Sequence, residues 1–189
     1  MAEENLSPDF MRKIIEYTLV SADGVFEDPQ NWGLRNFQDD ACRRDGLGQL
    51  LACDAMLMGR RSYEFFAKVY PSRTDPWAAR VNAMPKYVFS STLRQASWDN
   101  STIVRGDVTA EATKLKQQEG GDLLIWGHGL LAQTLLKQHL LDVLDISIYP
   151  VLAGHGKMFL RAGQNAGLRL VTTKTLSKGI VKLTYEPTR

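Results

Sequence analysis

Cysteine and histidine are scarce in this chain of 189 residues, which has two cysteines and three histidines. Cys42 and Cys53 lie in or beside one predicted helix and cannot form the dense disulfide framework of small secreted domains, so a reducing compartment is expected. His128, His139 and His155 show neither the i, i+4 pairing nor the neighbouring cysteines of a zinc site. We therefore predict no metal centre.

An excess of one charge and a long apolar run are also missing. The chain has 23 basic and 21 acidic residues, a formal net charge of +2, and so lacks the overall field that attracts nucleic acids or anionic membranes. No stretch approaches the ~18 uninterrupted apolar residues of a membrane-spanning helix. The first residues lack the basic and apolar segments of a secretion signal. We predict a cytoplasmic protein that binds neither nucleic acid nor membrane.

The composition that remains is that of an ordinary globular domain, with 44% hydrophobic and 23% charged residues. A domain of this length buries roughly 70% of the surface that its unfolded chain exposes, so it can build a sizeable core. Residues 1–10 are polar and are predicted to form a flexible tail, and neither a repeat nor a linker divides the remainder. We predict a single domain over residues 11–189.

Apolar, β-branched runs alternate with amphipathic stretches along the chain. Strands are predicted over 13–20, 55–58, 86–90, 101–104, 123–126 and 143–151, and helices over 39–52, 62–69, 75–82, 110–118 and 130–139. This alternation indicates an α/β fold with a mostly parallel central sheet flanked by helices. Two β runs, 168–176 and 180–185, surround a turn and predict a C-terminal antiparallel hairpin.

The first candidate site directly follows the second predicted strand. Gly59, Arg60, Arg61 and Ser62 stand at the start of a predicted helix, where unpaired backbone N–H groups and the helix dipole favour anions. Two arginines and a hydroxyl can also hold a phosphate directly. The combination fits the extra phosphate of NADPH, and the alternative is that both arginines are simply solvated at a helix start.

A second strand, glycine turn and helix occur at Gly127, His128, Gly129, Leu130 and Leu131. The glycines would let a pyrophosphate lie against the N-terminus of the following helix. The spacing is not that of the six-residue Rossmann fingerprint, so a plain tight turn is the alternative. His128 either donates a hydrogen bond to a phosphate or is exposed.

Hydroxyl and basic residues follow two further predicted strands. Ser90, Ser91 and Thr92 either contact phosphate or ribose or form an ordinary turn. Arg105 begins an Arg-Gly-Asp tripeptide that matches a cell-adhesion motif, but adhesion would require export. We therefore interpret this segment as a turn in which Arg105 flanks the adenine end of a cofactor.

The loop over residues 24–37 is long for a connection without secondary structure, and loops of this kind are usually either functional or disordered. It carries two large apolar side chains, Trp32 and Phe37. If the loop is functional, we interpret it as an active-site flap. Trp32, Phe37 and Tyr63 are the candidates to pack against a flat substrate, with core packing as the alternative for Tyr63.

Five segments together resemble the dihydrofolate-reductase-like superfamily, particularly the reductase domain of riboflavin biosynthesis and its small stand-alone relatives. They are VSADG at 20–24, MGRRSYEFF at 58–66, PKYVFSSTL at 85–93, GGDLLIWGHGLLAQTLL at 120–136 and DISIYPVLAGHGKMFL at 145–160. The resemblance spans residues 12–186 and implies NADPH as the cofactor. By this resemblance, the nicotinamide is bordered by Ser21, Ala22, Asp23 and Gly24, the adenosine-side phosphate is held by 59–62, the cofactor runs along 90–92, and the pyrophosphate is cradled by 127–131.

Two departures from the resemblance bear on the substrate. The position of the pterin-binding carboxylate of dihydrofolate reductases is occupied by residues 42–44, which are Cys, Arg and Arg, and this argues against folate. Asp39 and Asp40 lie one turn earlier and are the candidate catalytic carboxylates, with a helix-start cap as the alternative. Trp126 stands where the riboflavin-pathway reductases usually have an acid, which argues against their ribosylamino-pyrimidine substrate.

The sequence thus predicts an NADPH-dependent reductase that transfers hydride to a C=N or C=O bond of a small heterocyclic, pterin- or pyrimidine-like molecule. The alternative is a non-catalytic nucleotide-binding or regulatory module on the same scaffold, because fold alone does not determine function. The riboflavin-pathway relatives also suggest a homodimer. The candidate interfaces are the apolar stretch 146–149 and the terminal hairpin. For each of them, the alternative is that its apolar residues belong to the core of a single subunit.

Overall fold

The computed structural model describes residues 11–37, 39–159 and 165–188, so the predicted tail over 1–10 lies outside the described residues. Eight strands and five α-helices are present in this described part of the chain. The strands are β1 (Ile14–Ser21), β2 (Cys53–Gly59), β3 (Lys86–Phe89), β4 (Ser101–Val104), β5 (Asp122–Trp126), β6 (Val143–Tyr149), β7 (Leu168–Thr175) and β8 (Val181–Pro187). The helices are α1 (Asp40–Ala52), α2 (Arg60–Val69), α3 (Pro76–Ala83), α4 (Val108–Lys116) and α5 (Leu130–Lys137).

The eight strands form one sheet in the order β4-β3-β2-β5-β1-β6-β8-β7. The pairings among β1 to β6 are parallel, whereas β8 pairs antiparallel with β6 and with β7. This confirms the predicted α/β class, the mostly parallel central sheet and the C-terminal antiparallel hairpin. Because the first six strands run the same way, the carboxyl ends of all six lie at one edge of the sheet.

Strand alternation divides the core into two layers, one on each face of the sheet. In β5, Leu123 and Ile125 pack on one face with helices α4 and α5. Leu124 and Trp126 pack on the other face, in the cluster to which α3 contributes Ala78 and Val81. The strand is therefore buried on both faces, as its continuous apolar sequence indicated.

The observed boundaries differ from the predicted ones where a cap determines the helix start. Helix α2 begins at Arg60, two residues earlier than expected, because the extended backbone of Gly59 forms the N-cap. Helix α4 begins at Val108 because the Asp107 carboxylate accepts a hydrogen bond from the Ala110 N–H at 2.8 Å. Within the long loop after β1, Gly33 separates two short 3-10 turns. Of the helices in the described ranges, none has the length and apolarity needed to cross a membrane.

Helix α1 is attached to the C-terminal hairpin largely by charge rather than by an apolar stripe. The Asp45 carboxylate pairs with Lys174 of β7 and with Lys182 of β8. Lys182 also lies 3.1 Å from Asp145 of β6. Burial opposes ionisation of Asp45, but the two lysines outweigh it, and the pKa of this carboxyl lies below its usual value.

Two glycines of α1 should respond in opposite ways to the addition of one methyl group. A Cβ at Gly46 would lie 2.8 Å from the Trp77 ring, which is itself stacked on Trp126, whereas a Cβ at Gly48 would meet no heavy atom within 4 Å. We expect Gly46→Ala to lower the free energy of unfolding by about 1–3 kcal/mol through overpacking. Gly48→Ala should raise it by about 0.5–1 kcal/mol through helix propensity.

Urea unfolding followed by far-UV circular dichroism measures both free energies. Gly48→Ala is the control for the general effect of alanine in this helix. Equal changes of the same sign in the two variants would contradict the close packing of Gly46 on the indole ring.

Candidate functional site

The segments singled out in the sequence all lie at the carboxyl edge of the sheet. Neighbouring strands end almost in line, as the pairing of Gly59 with Phe89 and of Phe89 with Val104 shows. On the other side of the sheet, Ser21 pairs with Tyr149. In open α/β sheets, ligands bind outside the carboxyl ends of the strands. The fold thus brings the predicted cofactor-binding segments to the edge where a ligand is expected.

The N-terminus of α2 is joined to the loop after β3 through Arg60. Its Nη1 donates a hydrogen bond to Thr92 Oγ1 at 2.8 Å, and its Nε donates to Glu64 Oε1 at 2.6 Å. Gly59 provides no side-chain cap to α2. The start of this helix therefore has backbone N–H groups that no side chain caps, and its first residue carries a guanidinium, which are two features of an anion site.

The loop after β3 is held from its other side by Arg105, which follows β4. The guanidinium of Arg105 donates to the carbonyl oxygens of Ser91 at 3.1 Å and Leu93 at 2.8 Å. Within the loop, the Ser90 hydroxyl accepts from the N–H groups of Thr92 at 3.2 Å and Leu93 at 2.9 Å. Three of the predicted segments thus meet, although Arg105 binds the loop backbone in this structure.

The glycine turn after β5 is open on its outer side. Gly127 has a φ of 83°, which favours glycine, and its N–H donates to the Tyr17 carbonyl oxygen at 2.9 Å. A Cβ at Gly127 or Gly129 would meet no heavy atom within 4 Å, and the same holds at Gly59. Gly129 caps α5 without a side-chain contact. The turn and the start of the helix are therefore accessible to a bulky anion such as a pyrophosphate.

The side chain of His128 lies inside the protein, so of the two alternatives for this residue the exposed side chain is wrong. Only 2% of the residue is accessible, and its Nδ1 lies 2.9 Å from Glu16 Oε1. The imidazole packs against the rings of Phe26 and Phe159, whose centroids lie 5.7 Å and 4.4 Å away. Any phosphate contact at this residue therefore falls to its backbone N–H. Of the two neighbours on the helix, Leu130 is exposed and Leu131 is buried.

The turn after β1 is tied to the segment after β6 through one carboxylate. Asp23 accepts hydrogen bonds from the Ser21 hydroxyl at 2.5 Å, the Ala153 N–H at 2.9 Å and the Gly154 N–H at 2.8 Å. These bonds, chiefly the one from Ser21, lower the pKa of Asp23 to about 2. Gly24 completes the turn at a φ of 87°. The segment 21–24 is therefore bonded to the segment after β6 at the sheet edge.

The loop after β1 brings both of its aromatic residues to the end of β6. The ring centroids of Trp32 and Phe37 lie 6.4 Å and 5.8 Å from that of Tyr149. The three rings form an aromatic cluster at the sheet edge. Their joint position agrees with the predicted flap, and the substrate contact remains a prediction.

The sequence prediction missed a set of hydroxyl groups close to this aromatic cluster. Ser147 Oγ lies 3.4 Å from the Tyr17 hydroxyl, and burial raises the pKa of Tyr17 to about 12. Burial likewise raises the pKa of Tyr149. One signal was present in the sequence, because hydroxyl residues recur at interior positions of β1 and β6 where apolar residues are typical. Tyr17 and Ser147 come together only through the neighbouring positions of those strands.

The two candidate catalytic carboxylates occupy different environments. Asp39 caps α1 by accepting from the N–H groups of Ala41 and Cys42, both at 3.0 Å. A hydrogen bond from Ser177 and those from Cys42 and Ala41 lower the pKa of Asp39 to about 2. The Asp40 side chain is 83% exposed and lies 3.5 Å from Arg43. Asp39 is therefore ionised at neutral pH and suited to accept hydrogen bonds, and a catalytic role of either residue stays a prediction.

The acids, histidines and cysteines of the described ranges form no group of three or more that could hold a metal ion. Cys42 and Cys53 are free thiols. Cys42 Sγ lies 3.4 Å from the Ser177 hydroxyl, so this thiol lies beside the cap of α1. Cys53 is buried in the core layer on the same face of the sheet as Leu124.

Comparison with known proteins gives consistent results. The model of the RibD C-terminal domain matches residues 12–182. The uncharacterized protein YyaP of Bacillus subtilis (strain 168) is 32% identical over 185 residues, covering 92% of this chain and 94% of YyaP.

Two solved structures of lower identity share the fold. A putative riboflavin biosynthesis protein from Shewanella sp. PV-4 has a TM-score of 0.73 at 20% identity, with 94% of this chain and 99% of that chain covered. Dihydrofolate reductase from Enterococcus faecalis, complexed with NADP(H) and RAB-propyl, has a TM-score of 0.62 at 15% identity, with 95% of this chain and 99% of that chain covered. The superfamily indicated by the sequence motifs is confirmed.

Replacing the Asp23 carboxylate by a carboxamide should loosen the connection between the turn after β1 and the segment after β6. In Asp23→Asn, one of the two acceptor oxygens becomes an N–H donor, which then opposes the N–H of Ala153 or Gly154. We expect the amides of 151–157 to exchange with deuterium at least about 10-fold faster, which corresponds to about 1.4 kcal/mol of local stability. Hydrogen–deuterium exchange mass spectrometry measures this rate.

Asp28→Asn is the matched control, because Asp28 lies in the same loop and its carboxylate accepts from the exposed Gln30 side chain. This variant should leave exchange over 151–157 unchanged. Equal exchange in wild type and Asp23→Asn would show that the carboxylate does not hold the two segments together.

Proposed function

Because the chain belongs to the family of the RibD C-terminal domain, we propose that it is an oxidoreductase that uses NADPH to reduce a C=N or C=O bond of a small heterocyclic, pterin- or pyrimidine-like substrate. The observation that carries this proposal is the contact between Arg60 and Thr92. It joins the first residue of α2, a helix whose N-terminus has no side-chain cap, to the loop after β3. The proposal places the enzyme in the cytosol, where its two free thiols stay reduced.

The residues at the sheet edge fit an extended dinucleotide with phosphates at two places. Arg60, with Arg61 and Ser62 in the same helical turn, would bind the phosphate that distinguishes NADPH from NADH. The open turn from Gly127 to Leu131 would receive the pyrophosphate at the start of α5. Bound NADPH supplies a hydride, while the protein orients the dinucleotide and excludes water.

The nicotinamide end of this path would lie against the turn Ser21–Gly24. The Asp23 bonds to Ala153 and Gly154 close this turn against the segment after β6, so the nicotinamide would meet a fixed surface. Ser90 and Arg105 hold the loop on the opposite side of the sheet edge, where the adenosine end would lie. The two ends of the proposed path are thus defined by hydrogen bonds within the protein.

The substrate would be held by the aromatic cluster rather than by a buried carboxylate. Trp32 and Phe37 can cover one face of a flat ring above Tyr149. The hydroxyls of Tyr17 and Ser147 provide uncharged hydrogen-bond partners nearby. Asp39 is ionised and can accept a hydrogen bond from a ring N–H, whereas Asp40 points to solvent. These groups favour a neutral heterocycle over folate.

A non-catalytic nucleotide-binding module is the second candidate. It is favoured by the role of Asp39 as the cap of α1, because a carboxylate with a lowered pKa accepts hydrogen bonds and does not donate a proton at neutral pH. The two candidate functions differ in whether bound NADPH is oxidised. Purified protein that binds NADPH but oxidises none of it with pterin, flavin-precursor or quinonoid acceptors would support the module and contradict the enzyme.

Removing the guanidinium of Arg60 should weaken NADPH binding selectively. A hydrogen bond to a charged group contributes about 1.5–3 kcal/mol, so we expect Arg60→Ala to lower NADPH affinity by roughly 10–100-fold and to leave NADH affinity unchanged. Isothermal titration calorimetry with both dinucleotides measures the ratio.

Arg73→Ala is the control, because Arg73 is an exposed arginine paired with Asp75 near the start of α3. It should retain the wild-type preference for NADPH. A wild-type protein with equal affinity for NADPH and NADH, or an Arg60→Ala variant with unchanged preference, would contradict a phosphate site at α2.

We also propose that the protein forms a homodimer through β7. The other candidate interface, residues 146–149, lies in β6, which pairs with β1 and β8 inside the sheet and so offers no free strand edge to a second copy. Strand β7 is the edge of the sheet and is exposed along its whole length, including Leu168, Leu170 and Val171. Unpaired charged side chains commonly prevent an exposed edge strand from pairing with another chain. On β7, Arg169 and Lys174 are instead paired with acids of their own chain. A second copy can therefore pair with this edge about a two-fold axis.

A charge on the exposed edge should prevent this pairing. We expect wild type to be dimeric by multi-angle light scattering and Leu170→Lys to be monomeric, because a buried unpaired ammonium is costly. Leu51→Lys places the same charge at a 59% exposed leucine of α1 and should remain dimeric. A monomeric wild type, or a dimeric Leu170→Lys, would contradict an interface at β7.

A further inference from the structure

A carboxylate and an imidazole lie together beneath the glycine turn, and neither has a part in the hydride transfer proposed above. Glu16 of β1 is completely buried and His128 is 2% exposed. Their Oε1 and Nδ1 atoms lie 2.9 Å apart. Burial raises the pKa of Glu16, and the hydrogen bond from His128 only partly offsets it. The pair is thus held at a cost in solvation.

This pair is poorly explained as a source of fold stability. The second carboxylate oxygen of Glu16, Oε2, is buried without a hydrogen-bond partner among the described residues, and the same is true of the Thr18 hydroxyl two residues along β1. Buried polar pairs can often be replaced by apolar residues of similar volume without loss of stability, particularly when their hydrogen bonds are incomplete. A role other than stabilising the core is therefore indicated.

The Glu16 and His128 pair restrains the backbone of the glycine turn after β5. His128 is the middle residue between Gly127 and Gly129, which are conformationally permissive. Its side chain is fixed to β1 by Glu16, and its carbonyl oxygen accepts from Gln133 Nε2 of α5 at 3.0 Å. One residue thus connects the strand, the turn and the helix. The directions of the backbone N–H groups at the start of α5 follow from that connection.

We propose that Glu16 and His128 are positioning residues for the dinucleotide, and that they hold the 127–131 turn in the conformation that receives the pyrophosphate. Glu16 acts through the His128 ring and does not touch the ligand. The rings of Phe26 and Phe159 enclose the imidazole and keep it directed inward. Without the pair, the two glycines would let the turn adopt several conformations, and the ligand would have to order it on binding. This inference rests on the proposed NADPH site.

The test separates dinucleotide affinity from stability. Glu16→Leu removes the acceptor, and we expect NADPH to bind at least about 10-fold more weakly while the melting temperature is unchanged or higher. Glu16→Gln keeps an acceptor oxygen for the imidazole and should restore most of the affinity. His128→Leu should reproduce the loss, and the double variant should be no weaker than either single one, because both remove the same contact.

A ligand without the pyrophosphate provides the internal control. Adenosine 2′-monophosphate carries the phosphate that distinguishes NADPH from NADH, so its affinity should change less than about 2-fold in all these variants. Lys116→Met is the matched control protein, because it breaks the buried pair of Lys116 with Asp142 at the other end of β1. It should lower the melting temperature and leave NADPH affinity intact.

Four results would overturn the inference. NADPH affinity could be unchanged in Glu16→Leu and His128→Leu, or adenosine 2′-monophosphate could lose as much affinity as NADPH. Failure of both variants to fold would show that the pair serves the fold rather than the ligand. Wild-type protein that binds no NADPH would overturn the proposed function as well, which distinguishes that outcome from the others.

Discussion

The structure depends on the parallel pairing of β1 with β5 on one side and with β6 on the other. This pairing places β1 near the middle of an eight-stranded sheet, where one face of the strand is fully buried and the other is partly buried. Because β2, β3 and β4 continue in the same direction, all six carboxyl ends meet at one edge. The helices that follow β2 and β5 consequently begin at that edge with their N-termini toward the same ligand region.

Hydrogen bonds between loops give this edge a defined shape. Loops are usually the mobile part of a domain, but Asp23 connects the turn after β1 with the segment after β6. On the opposite side, Arg60 and Arg105 hold the loop after β3 from two directions. The proposed dinucleotide site is therefore largely preorganised, which reduces the entropy cost of binding.

Two buried polar groups illustrate different uses of the interior. Lys86 is fully buried, donates to the carbonyls of residues 82, 84 and 99, and lies 4.4 Å from the centroid of Trp98. Burial lowers its pKa to about 8, and its contacts join β3 to the end of α3 and to the loop before β4. The Glu16 and His128 pair is satisfied only in part, and it lies directly beneath a turn that a ligand would use. Lys86 thus serves the fold, whereas the Glu16 and His128 pair is the one we propose to position a ligand.

The order of strands and helices, the terminal hairpin and the placement of glycine and arginine at strand ends could be predicted from the sequence, because alternation, helical periodicity and turn residues are local properties. The inward direction of His128, the interior position of β6 and the contact between Arg60 and Thr92 could not. Each depends on which strands become neighbours and on the side to which a turn directs its side chain. Those choices arise only when distant segments pack together, so the sequence determined the elements and the tertiary structure decided their partners.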